Sequence, residues 1–231
     1  MKKYFVILLV ITMMLTGCGK SVPAEEMPTG TIEQHETEPV LEEKAVSMGR
    51  LEGGTYINDY AGFACDLDSS WTYMGAEELQ DIPENARKMF QGSELAEEID
   101  ELSQFTDMMA ENVDQMVNMN IAYQKLTMQE RLAFAVMNES EILDSALERK
   151  DDLMEAYNQA GFEVDSMKKV TVSFLGEERV ALHTSMHLED IPYFTLQLFD
   201  YSLGRYSVIL TLASFVEDNT ESLLGLFYEV G

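Results

Sequence analysis

His183 and His187 are the side chains of this sequence best suited to hold a metal ion. They stand four apart in an alternating stretch and share one strand face with Ser185 and Glu189. Zinc needs three or four N, S or O donors in a tetrahedron. Positions i and i+4 of a strand lie ~13 Å apart, too far to share one ion without a bend. The remaining histidine, His35, falls in a stretch without apolar periodicity. The expectation is a polar strand face that holds neither metal nor cofactor. Met108, Met109, Met116, Met119, Met128 and Met137 also gather in one stretch. Thioethers bind Cu(I), but no short methionine motif repeats here, and methionine also fills cores and lines adaptable grooves. Asp66 with Asp68, and Asp151 with Asp152, sit outside any Asp-x-Asp-x-Asp-Gly loop and read as solvated charge. No Gly-x-Ser-x-Gly, Walker or His-Glu-x-x-His motif occurs, so no catalytic residue is assigned. Phe63, Cys65 and Leu67 share one face of a short strand, which makes Cys65 a buried structural thiol.

The N-terminus carries chemistry of another kind. Lys2 and Lys3 open the chain, and residues 4–14 form an almost unbroken apolar run. A basic start, a short apolar core and a small-residue site make a secretory signal peptide. The run is shorter than the ~20 residues that span a bilayer. Directly behind it, Leu15-Thr16-Gly17-Cys18 resembles the lipobox of bacterial lipoproteins. That resemblance implies a diacylglyceryl thioether on Cys18, with Leu15, Thr16 and Gly17 as the recognition residues and cleavage just before Cys18. The mature protein would then sit on the extracytoplasmic face of the cell membrane, held by lipid. Two acyl chains suffice for stable anchoring where one is marginal. Lipid on Cys18 would leave Cys65 as the only thiol, so the fold must stand without a disulfide.

The elements that position these residues follow from composition and period. The chain has 231 residues, 46% hydrophobic and 10% aromatic, which suits one folded domain with a real core. Loss of Lys2 and Lys3 with the leader takes the formal charge from −27 to −29. Such a field repels nucleic acid and excludes it as a partner. The expected organisation is a leader over 1–17, a lipidated acidic tether over 18–54 and one domain over 55–231. The tether holds Pro23, Pro28, Pro39 and many glutamates, a composition that cannot offset chain entropy by burial.

Within the domain, residues 55–58 and 63–67 read as two strands joined by a turn in which Gly62 supplies positive φ. Trp71 reads as a core-edge anchor. Short helices are expected over 77–90, interrupted at Pro83, and over 93–102. Residues 105–110 fit helix or strand equally. Val117, Met119, Ile121 and Tyr123 alternate with polar residues, so 117–126 is a strand. Helices follow over 130–137 and 140–160, the second capped by Ser140 and stopped by Gly161. Four alternating strands joined by tight turns make an antiparallel meander, and a closing helix is expected over 219–228. The fold class is α+β: an antiparallel sheet with a C-terminal meander, packed with helices.

Tyr56-Ile57-Asn58, Gly62-Phe63 and Trp71 resemble the opening of exported bacterial domains with a PsbP-like α/β/α sandwich. Asp107-Met108-Met109-Ala110, Asn120-Ile121-Ala122-Tyr123, the Gly161 stop and the meander with Gly176 and Tyr206 continue the resemblance. It implies an accessory or binding protein. The expected function is a non-catalytic binding module for an envelope or surface protein, anchored through Cys18. The exposed face of the meander, or the groove between sheet and helices, is its expected contact. The alternative is a lipoprotein that binds a small ligand or a divalent cation.

Overall fold

The computed structural model describes residues 46–75, 79, 104–159 and 161–230. Leu15, Thr16, Gly17, Cys18 and the helices expected over 77–90, residue 79 apart, and 93–102 lie outside the described residues. Two antiparallel sheets carry the fold. The smaller joins β1 (Arg50–Glu52), β2 (Thr55–Asn58), β3 (Phe63–Asp66) and β11 (Phe227–Glu229) in the order β1-β2-β3-β11. The larger joins β4 (Thr72–Tyr73), β5 (Gln104–Asn112), β6 (Val117–Lys125), β7 (Phe162–Phe174), β8 (Glu177–Leu188), β9 (Ile191–Asp200) and β10 (Tyr206–Phe215). Its order is β4-β5-β6-β10-β9-β8-β7, so the expected meander is present and its last strand pairs with β6. The α+β class is thus observed directly.

One core lies between the sheets. Tyr56, Phe63 and Cys65 of the small sheet pack on Met108, Met119, Ile121, Leu198 and Leu210 of the large one. A second core lies between the far end of the large sheet and two helices, α2 (Glu139–Leu147) and α3 (Lys150–Gln159). Leu143, Ala146, Leu153 and Tyr157 supply the helical side, against Phe162, Leu182, Met186 and Tyr193. A shorter helix, α1 (Met128–Phe134), precedes them, and α4 (Thr220–Leu223) runs into a single 3₁₀ turn, Leu224–Leu226.

Three expectations need correction. The helix read over 140–160 is two helices, with Asn138 rather than Ser140 as the cap of the first. Neither Gly nor Pro marks the break, which falls where packing changes from β7 and β8 under α2 to β7 under α3. The helix read over 219–228 stops early. Gly225 weakens it, and Phe227, Tyr228 and Glu229 pair instead with Cys65, Ala64 and Phe63. Phe227 then stacks edge-on against Phe63 and Phe174. Arg50–Glu52, within the stretch expected to be tether, pairs with β2. The polar side of β6 is buried as well as its apolar side: Asn118, Asn120 and Gln124 are at most 1% exposed, and most residues of β9 and β10 are likewise buried.

Candidate functional site

The two histidines do not converge on a common ion. His183 Nε2 lies 2.7 Å from Asp218 Oδ2, and His187 Nδ1 lies 2.8 Å from Asp165 Oδ2. Each imidazole has its own carboxylate, as the strand spacing requires. Among the described residues, no three His, Cys, Asp or Glu side chains group as a metal site. Burial pushes the Asp218 carboxyl up, but hydrogen bonds from Thr220 and His183 outweigh it, and its pKa falls below the ordinary value.

The methionines scatter by role. Met108 and Met119 are core residues of the inter-sheet layer, and Met109 is equally buried. Met119 Sδ lies 4.0 Å from Cys65 Sγ. Burial pushes the Cys65 thiol up to about 12, so it is a packing group and not a nucleophile at neutral pH. Met128, by contrast, is 67% exposed.

That exposure points to the surface with the clearest capacity to bind. α1 forms because Thr127 and Glu130 close a capping box: the Glu130 N–H donates to Thr127 Oγ1 at 3.2 Å, and the Thr127 N–H donates to Glu130 Oε2 at 2.7 Å. Asn138 and Glu141 close a second box at the start of α2. α1 buries none of its residues. Met128, Leu132 and Val136, spaced i, i+4 and i+8, form an apolar stripe that is 67%, 61% and 83% exposed. Such a stripe rimmed by polar groups marks an interaction surface.

A different side of α1, carrying Arg131 and Phe134, together with Ala135 just past its end, lines a cleft of about 790 Å³ whose other walls are the start of α2 and two hairpin ends of the meander. Phe134 packs on Tyr201 there, the two rings tilted by 48° with centroids 4.5 Å apart. Leu175 and Gly176, at φ 53° and 79°, make the two-residue turn that brings Glu177 and Glu178 to its rim. Arg179 is held inside by Glu139 and by the Phe199 carbonyl, which accepts from Nη2 at 3.3 Å. Asp200 accepts from the Ser202 N–H at 2.9 Å and shapes the β9–β10 turn on the other side. Four carboxylates therefore meet two guanidiniums, those of Arg131 and Arg179. The cleft lies in the groove between sheet and helices. Sequence reading missed its residues one by one; the Met128, Leu132, Val136 spacing was a legible signal for the exposed stripe alone.

Comparison with known proteins adds little. No family model matches the chain, and no curated protein matches it. Among solved structures, the chain is similar to the solution structure of cyanobacterial PsbP (CyanoP) from Synechocystis sp. PCC 6803. The two are 11% identical, with a TM-score of 0.43, over 80% of this chain and 95% of that one.

Proposed function

We propose that this chain is a lipid-anchored binding module of the extracytoplasmic membrane face, serving an envelope or surface protein without catalysis of its own. The observation that carries the binding role is the exposed stripe of α1 beside the cleft. A seven-residue helix with no buried residue gains little from its own hydrogen bonds. Apolar groups left in water at such a place favour a partner that removes them from it. The anchoring role rests on Leu15-Thr16-Gly17-Cys18 behind its apolar run.

Two experiments test the reading. Cys18→Ala is expected to leave the precursor uncleaved or to release the protein from membranes. The same mature species in the membrane fraction would refute the anchor. Chemical crosslinking in cells, followed by mass spectrometry, is expected to capture one dominant stoichiometric protein. A small-ligand role has one point in its favour, since the cleft volume lies within the range of about 300–1,000 Å³ typical of such sites. A solute screen by melting temperature separates it from protein docking.

A further inference from the structure

Resting on that binding-module reading, we infer that the α1 stripe and the adjoining cleft receive a basic, amphipathic segment of the partner protein. The stripe supplies the apolar half of the argument. Met128, Leu132 and Val136 lie along one side of α1 and its following turn, over ~12 Å at helical rise. That length matches two turns of a partner helix whose apolar residues recur every three or four positions, the helix-in-groove mode.

The rim supplies the charge. Glu177 and Glu178 are exposed and make no ion pair among the described residues. Arg179 cannot neutralise them, because Glu139 and the Phe199 carbonyl already hold it, and even with Arg131 the lining carries four carboxylates against two guanidiniums. A cation on the partner would meet these carboxylates as its apolar face meets the stripe. The whole chain, at −27, draws such a segment in from a distance. The same charge argues against the other occupants. A second copy would bring another −27 to the interface, and an anionic bilayer surface would be repelled.

The test places a photoreactive phenylalanine at Leu132 of the full chain, in cells, with a second probe at Glu155, exposed on α3. The Leu132 probe is expected to capture a segment that carries net positive charge and apolar residues three or four apart. Glu177→Lys with Glu178→Lys is expected to lower the yield about tenfold, as two reversed rim charges would. Glu177→Gln with Glu178→Gln should lower it less. The Glu155 probe should miss that segment. Capture of an acidic segment, a lipid or a second copy at Leu132 would overturn the inference, as would a yield indifferent to charge reversal. A partner captured from Glu155 but not from Leu132 would refute this surface and leave the binding module standing. Silence from both probes and from the chemical crosslinker would refute both.

Discussion

Tyr56 donates its phenolic hydrogen to Asp107 Oδ2 at 2.5 Å, and this one bond ties the small sheet to the large one across 51 residues of chain. The same oxygen accepts from the Gly49 N–H at 2.8 Å. Asn58 Nδ2 donates to the hydroxyls of Tyr56 and Tyr123, each at 2.7 Å. Tyr123 in turn donates to the Ser47 carbonyl at 3.4 Å. The bulge of β5 between Thr106 and Met108 points Asp107 into this network. Burial first, and then the Asp107 carboxylate beside it, raise the Tyr56 phenol far above its ordinary pKa, so it stays a donor. The chain entering from the N-terminal side is thereby fastened to the domain.

Tyr56→Phe removes a hydrogen bond to a charged group and is expected to cost ~2 kcal/mol. Urea unfolding should show a lower midpoint with an unchanged slope. Asp107→Ala should cost more, since Gly49, Tyr56 and Asn58 all lose an acceptor. The double variant should fall short of the sum, because both residues act through one bond.

Gly49 has no room for a side chain. A Cβ there would clash with the ring of Tyr56, which is held by its bonds to Asp107 and Asn58. Gly49→Ala is expected to destabilise the domain by about 1–3 kcal/mol through overpacking. In a Tyr56→Ala background the same substitution should become nearly neutral, and a thermal melt of the two pairs decides it.

Cys65 should resist modification. With its thiol pushed up to about 12 from an ordinary 9.0, almost none is thiolate at pH 8. Ellman's reagent is expected to leave the native protein unlabelled and to label it at once in denaturant. Rapid labelling without denaturant would show that the inter-sheet core opens.

Asp218 should contribute to acid stability. Its folded pKa is depressed, so its contribution is full above the unfolded value of ~3.9 and is lost as the pH falls through the folded one. Asp218→Asn should lower stability at neutral pH, and the gap to the parent should close as the solution is acidified. Melting curves from pH 7 to pH 2 would check the sign.

Some of this was written locally in the chain. The alternation in Val170, Val172 and Phe174, and again in Leu182, Thr184, Met186 and Leu188, set period two, and the strands formed there. Gly62, Gly161, Gly176 and Gly204 sit at φ between 79° and 92°, where side chains are strained, and each ends or turns an element. Phe63, Cys65 and Leu67 faced one way because strand geometry leaves no choice. Tertiary structure decided what period cannot express. Phe227 and Tyr228 read as helix from their own residues, yet became strand because β3 offered an open edge. Asn118 and Asn120 alternate with the apolar side of β6, yet both are fully buried, and period two does not say whether a strand's second face is covered. Tyr56 and Asp107 have no relation in sequence, and neither do Glu177 and Phe134, which line one cleft. Periodicity is a property of neighbours along the chain. Which strand pairs with which, and which carboxylates come to rim one cleft, depend on contacts between segments far apart, and only folding brings those together.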